Sequence, residues 1–213
     1  MEFYKYHSLG NDYLVYDIRK NQEELDQEKI VRVCSRNFGI GSDGIVAGPY
    51  EKDGNMYVRV FNPDGTEAEQ GGNALRIFAH YLKAIGDIQK ESFELYTKSG
   101  ISQIRYLNRE GNRIQMTMGK LRFSSKALGL SGPDREAVHE FFNFGGEEYD
   151  CTCVSAGNPH CVIVLEDTDR ETVCRIGKYS ERAECFPEGI NTEIVKILDK
   201  TNIEIEIFER GVG

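Results

Sequence analysis

Phe61-Asn62-Pro63-Asp64-Gly65-Thr66-Glu67-Ala68-Glu69-Gln70-Gly71-Gly72-Asn73-Ala74-Leu75-Arg76 decides the fold. An apolar strand, Met56 to Phe61, runs into a turn and then into Gly-Gly-Asn. A helical spacing follows in Leu75, Phe78, Ala79, Leu82 and Ile85, and Gly86 is a natural C-cap. The helix therefore begins on a turn with little side chain around it. Its first N–H groups have no intrahelical acceptor, and the positive end of the helix dipole stands behind them. Such a place holds a carboxylate or another anion. The same glycines also suit a plain tight turn from strand to helix.

Outward from this stretch, composition narrows the function. A chain of 213 residues is long enough for one large or two small domains. A net charge of −9 and a pI near 5.1 argue against nucleic acid, which demands a basic face. No apolar run approaches the length of a membrane span, and Met1–Tyr6 lacks a signal-peptide pattern. A cytoplasmic chain with its six cysteines reduced is the expectation. Cys151-Thr152-Cys153 has no second pair and no clustered histidines, so no metal is expected.

Along the chain, strands are expected at Glu2–Tyr6, Tyr13–Ile18, Ile45–Ala47, Ser92–Thr97, Ile101–Leu107 and Arg113–Met118. Asp26 is an N-cap for a helix from Gln27 to Asn37. Ser124–Glu136 carries little pattern and is the candidate linker. Beyond it, strands are expected at His139–Phe144, Tyr149–Val154, Cys161–Leu165, Asn191–Leu198 and Ile203–Phe208. Thr168-Asp169-Arg170-Glu171 reads as a capping box opening a helix to about Tyr179. Ile203, Ile205 and Ile207 alternate with Glu204 and Glu206, which assigns the isoleucines to the core.

The two halves repeat. Ser8-Leu9-Gly10-Asn11-Asp12-Tyr13-Leu14-Val15 matches Ser155-Ala156-Gly157-Asn158-Pro159-His160-Cys161-Val162 at an offset of 155 − 8 = 147. The same offset carries Val58-Arg59-Val60-Phe61 onto Ile205-Glu206-Ile207-Phe208, since 208 − 61 = 147. Two matches at one offset indicate a duplicated domain, and paired domains usually bind their ligand in the cleft between them. Asn11 and Asn158 are then expected to face each other. Residue 213 is the equivalent of residue 66, since 213 − 147 = 66, so the second repeat reads as truncated, without a copy of the central helix. A sheet lacking that helix keeps an apolar face uncovered.

These residues resemble the diaminopimelate epimerase family of racemases that use no pyridoxal phosphate. The resemblance spans the chain. It rests on His7-Ser8-Leu9-Gly10-Asn11-Asp12, Gly39-Ile40-Gly41-Ser42-Asp43-Gly44, Asn62-Pro63-Asp64-Gly65-Thr66-Glu67, Gly72-Asn73, Gly157-Asn158-Pro159-His160, Phe186-Pro187 with Asn191, and Glu209-Arg210-Gly211-Val212-Gly213. It implies an α/β (α+β) fold of two pseudo-symmetric domains, residues 1–120 and 121–213, each a mixed sheet wrapped around a central helix. It implies an isomerase that interconverts LL- and meso-diaminopimelate without a cofactor, a step toward lysine. One cysteine thiolate takes the α-proton and a thiol on the opposite face returns one. By resemblance Asn11, Asn62, Asn158 and Asn191 bind substrate, and Gly72 and Asn73, with Arg210 and the residues after it, hold carboxylates. His160 and Glu209 assist the two cysteines, and Glu209 also contacts substrate. The partner implied is a small amino acid, with no nucleic acid and no membrane, and a homodimer is the assembly entertained.

The sequence departs from that pattern at the chemistry itself. Gly71 occupies the first catalytic cysteine position, and the second falls at 71 + 147 = 218. None of the six cysteines lies at a catalytic motif position. Cys161 adjoins His160, but on a strand its side chain points to the other face. An active epimerase, an inactive amino-acid-binding homologue, and a homologue with altered chemistry through His160 or Glu209 all remain open to these residues. For Asn11, Asn158 and Asn191 the plain alternative is turn formation, and for Glu209-Arg210 a surface ion pair.

Overall fold

The computed structural model describes residues 1–68 and 71–210. They form two compact units, Met1–Met118 and Gly119–Gly213. In the first unit the elements are β1 (Tyr4–Ser8), β2 (Asn11–Asp17), α1 (Gln27–Cys34), β3 (Ile45–Lys52), β4 (Asn55–Phe61), β5 (Glu67–Ala68), α2 (Gly72–Ala84), β6 (Ser92–Thr97), β7 (Gly100–Tyr106) and β8 (Ile114–Met116). The second unit holds β9 (Glu140–Phe144), β10 (Glu147–Ser155), β11 (Pro159–Val164), α3 (Arg170–Ser180), β12 (Asn191–Ile197) and β13 (Ile203–Phe208).

The first sheet runs β1-β2-β3-β4-β6-β7-β8, with β5 paired to β4. β2 and β3 are parallel, and β3 and β4 antiparallel. Helix α2 packs against β1, β2, β3 and β8. Because β1 and β8 end the strand order, the sheet curls around the helix. The helix is accordingly buried on most sides, through Ala74, Leu75, Ile77, Phe78, Ala79, Tyr81 and Leu82. Each large side chain among them contributes about 1.5–3 kcal/mol. The helix ends as expected: Gly86 takes φ 77°, Asp87 N–H donates to the Leu82 carbonyl, and Gly86 N–H donates to the Lys83 carbonyl. Alternate residues of the strands serve opposite faces. Val15, Val46, Val58 and Val60 meet α2, while Leu14, Tyr16, Ile45, Ala47 and Phe61 meet Ile30 and Cys34 of α1.

The second sheet runs β13-β12-β11-β10-β9, with β11 and β12 parallel and β12 and β13 antiparallel. Its strand pairing keeps the sequence offset. Leu14 pairs with Ile45 and Ile45 with Phe61 in the first sheet; Cys161 pairs with Thr192 and Thr192 with Phe208 in the second. Each of the three residues is displaced by 147 (161 − 14, 192 − 45, 208 − 61). β10–β13 thus repeat the topology of β1–β4, with α3 in the place of α1. Cys161, Ile163, Ile194 and Phe208 pack with Val173 and Ile176 of α3.

Several expectations are corrected. Ile203, Ile205 and Ile207 are 59%, 45% and 40% exposed, not core. Strand parity turns them to the face whose counterpart in the first unit, Val58 and Val60, is covered by α2, and no described helix of the second unit covers it. It is Phe208, of the other parity, that is buried. Ser124–Glu136 is no linker: Asp134 accepts hydrogen bonds from Ser124 Oγ and Lys126 N–H, and Leu128 and Leu130 enter the second core. Helix α1 stops at Cys34, because Ser35 leaves helical angles (φ −57°, ψ 121°). The N-cap of α3 is Asp169, accepting from Thr172 N–H, rather than Thr168.

Candidate functional site

In the first unit the site residues cluster at the N-terminus of α2. Gly71 is the N-cap, at φ −147° and ψ 91°, and no described side chain caps the helix. Among the described residues the N–H groups of Gly72 and Asn73 find no backbone or side-chain acceptor. These are the donors an anion at this end would use. The Asn73 side chain is committed sideways: its Nδ2–H donates to Asn11 Oδ1 at 3.0 Å, 62 residues away in sequence. Asn11 Nδ2–H in turn donates to Asp43 Oδ2 at 3.0 Å, and Asp12 N–H donates to the same oxygen. Arg36 bridges Asp43 and Asp12, and Lys5 adds a second cation on Asp12. Burial opposes the Asp12 charge, but these partners prevail and hold its carboxyl well below the usual range. At the other end of the chain of amides, Arg76 Nη2–H donates to Asn73 Oδ1 at 2.5 Å. Burial lowers the Arg76 pKa.

Asn62 stands apart from this network. Its Nδ2–H donates to Thr66 Oγ1 at 3.0 Å, and Asp64 closes the same turn by accepting from Thr66 N–H. The side chain of Asn62 therefore does turn work in this structure. Glu69 and Gln70 lie outside the described residues.

In the second unit, Asn158, His160, Asn191 and Arg210 come together on β11, β12 and the end of β13. His160 and Asn191 are register partners on parallel strands. His160 Nδ1 lies 2.5 Å from Glu193 Oε1, and Nε2 lies 2.9 Å from Asn158 Oδ1. Asn191 is buried, and its Oδ1 accepts the Arg210 N–H at 3.0 Å. Arg210 Nη1–H donates to the Glu188 carbonyl at 3.0 Å, which fixes the chain after β13 against the loop before β12. Glu209 is exposed. The remainder of the motif, Gly211-Val212-Gly213, lies outside the described residues.

Among the described residues no cysteine side chain hydrogen-bonds a member of either cluster; Cys34 Sγ accepts from Ser42 Oγ. Cys151, Cys153 and Cys161 are buried on the α3 side of the second sheet. Cys161 is pushed up by the neighbouring thiols of Cys151 and Cys153 and by burial, Cys34 by burial, and Cys185 by burial to about 11. None of these three is a base near neutral pH. No group of metal ligands is assembled among the described residues, and no described helix is long and apolar enough to cross a membrane.

Asp43, Arg36, Arg76 and Glu193 belong to these clusters and were not singled out from sequence. Glu193 was within reach: it sits two residues past Asn191 on one strand, hence on the same face. The Asn11–Asn73 contact carries no local signal at all.

The fold has counterparts among solved structures. A hydroxyproline epimerase from Agrobacterium vitis superposes with a TM-score of 0.65 at 13% identity, over 95% of this chain and 68% of that one. The sequence pattern described as "Diaminopimelate epimerase" matches residues 3–124 and 152–213. The "Diaminopimelate epimerase 2" of Nostoc sp. is 42% identical over 214 residues, covering 100% of this chain and 75% of that protein. The diaminopimelate epimerase of Trichodesmium erythraeum is 34% identical, over 99% and 77%. This chain belongs to the diaminopimelate epimerase family, and is by family an isomerase.

Proposed function

We propose that this chain serves the interconversion of LL- and meso-diaminopimelate by proton exchange at the α-carbon. The carrying observation is the N-terminus of α2, where the N–H groups of Gly72 and Asn73 have no acceptor among the described residues and are braced by the Asn73–Asn11–Asp43 chain. An α-carboxylate docked on those N–H groups gains charge-assisted hydrogen bonds and the helix dipole. As the α-proton leaves, charge spreads onto that carboxylate, so the same donors stabilise the developing anion. In the second unit His160 and Glu209 assist proton transfer, and Asn158, Asn191 and Arg210 bind the amino acid. The proton acceptor of the first face belongs at position 71.

Gly71 favours a second reading: the chain binds the amino acid without moving its proton. One measurement separates the two. LL-diaminopimelate in deuterated water is followed by proton NMR for loss of the α-proton signal. Exchange supports epimerisation by this chain. Binding by calorimetry with no exchange refutes it and supports the binding reading. Gly71→Cys then tests the site: a thiolate there takes the α-proton, exchanges it with solvent and returns a deuteron to the same face. If the variant binds the amino acid but gains no exchange, position 71 is not the proton-transfer site.

A further inference from the structure

We infer that Glu193 is a positioning residue for His160: it holds the proton on Nδ1 and so makes Nε2 the nitrogen through which His160 exchanges protons. The placement follows from the strands. His160 and Asn191 are neighbours across β11 and β12, and Glu193 lies two residues beyond Asn191 on the same face. Its carboxylate reaches Nδ1 at 2.5 Å.

Among the described residues the carboxylate has no other side-chain partner. Glu193 is 6% exposed, and its second oxygen is buried with no hydrogen-bond partner among the described residues. Burying a carboxylate costs several kcal/mol unless a partner compensates. The ladder of β12 does not ask for one. The repeat supplies an internal control: the equivalent of Glu193 is Val46, since 193 − 147 = 46, and it is fully buried among apolar neighbours. The equivalent of His160 is Tyr13, since 160 − 147 = 13. Histidine and glutamate thus appear together in the one copy, at positions where the other copy has neither.

The chemical consequence is a fixed tautomer. A neutral imidazole carries one proton, and the hydrogen bond at one nitrogen decides which one keeps it. With Nδ1–H given to Glu193, Nε2 becomes the exchanging nitrogen, directed at Asn158. In the doubly protonated ring Nε2–H donates to Asn158 Oδ1. In the neutral ring the Asn158 amide turns over and offers Nδ2–H to the Nε2 lone pair. Proton traffic through His160 then runs at Nε2 alone.

The inference rests on the proposed part of His160 in proton transfer, but its test does not need turnover. The protein has four histidines, labelled with nitrogen-15, and His160→Gln identifies the His160 ring signals. In the wild-type protein at alkaline pH, long-range proton–nitrogen spectra are expected to show the Nδ1–H form for this ring. Glu193→Met, close in length, is expected to switch it to the Nε2–H form. Glu193→Val, a strand former, serves if the Met variant does not fold. A wild-type ring in the Nε2–H form, or a ring unchanged in the folded variant, overturns the inference. The reading of His160 itself is tested separately: if His160→Gln in the Gly71→Cys background leaves α-proton exchange undiminished, that reading fails while the tautomer result stands.

Discussion

A thiol placed at position 71 should ionise more readily than an ordinary cysteine. The structure sets the contest. A Cβ on Gly71 would lie 3.1 Å from Val60 Cγ1 and 3.2 Å from Ala74 Cβ, contacts relieved by a few tenths of an ångström. The backbone angles there suit any residue, with φ at −147°. Contact with Val60 raises a thiol pKa, while the helix N–H groups, without an acceptor among the described residues, and the helix end lower it. Gly71 is half-buried rather than enclosed, so desolvation is partial and the helix end prevails. A helix terminus contributes about 0.3–1 kcal/mol, up to ~2 where partly buried. At about 1.36 kcal/mol per unit, that lowers a thiol pKa of about 8.5 by roughly 0.2–1.5 units. The ionised fraction at pH 7 then rises from about 3% to between about 5% and 50%. The assay is the pH dependence of alkylation by iodoacetamide, read by intact mass. The unmodified chain is the blank, since its cysteines are buried or half-buried. A midpoint at or above about 8.5 in the folded Gly71→Cys protein refutes the reasoning: the apolar wall then outweighs the helix end.

Acid should unfold the first unit through Asp12 and Asp17: burial pushes both carboxyls up, but their hydrogen-bond partners and neighbouring cations hold them below the ordinary value of 3.8. Their stabilisation is complete above that value and is lost as pH falls through it toward the lower folded values. Melting temperature against pH should fall below about pH 4, and less steeply in Asp12→Asn; an unchanged slope would count against it. Gly177→Ala should destabilise despite alanine's advantage of about 1 kcal/mol in a helix. The new Cβ would stand 2.2 Å from Phe208 Cγ, and such overpacking costs about 1–3 kcal/mol. A more stable variant in urea denaturation would sink this. Ile205→Thr should change stability by no more than about 0.5 kcal/mol, whereas Ile194→Ala should cost about 2–5. Comparable losses from the two would show that Ile205 is packed after all.

Much of the arrangement was legible because it is local or periodic. Asp26 caps α1, and Gly86 closes α2 in a left-handed conformation. Boundaries slipped where competing local signals were close: Thr168 and Asp169 both suit an N-cap, and the hydrogen bond from Thr172 N–H goes to Asp169. Ser124–Glu136 read as featureless because its order comes from side chains such as Asp134 and Leu130, which follow no strand or helix period.

By itself the sequence determined the duplication, the 147-residue offset, the start of α2 on Gly71-Gly72-Asn73 and the absence of a cysteine at position 71. Those are matters of residue identity and spacing. Only the tertiary structure decided which strand faces are covered, and so that Ile205 is exposed while Val58 is buried. Alternation says that two faces differ; it does not say what packs on either. It likewise decided that Asn73 meets Asn11 and that His160 meets Glu193, contacts between elements distant in sequence. Neighbours of that kind are set by sheet order and register, which no single stretch of chain encodes.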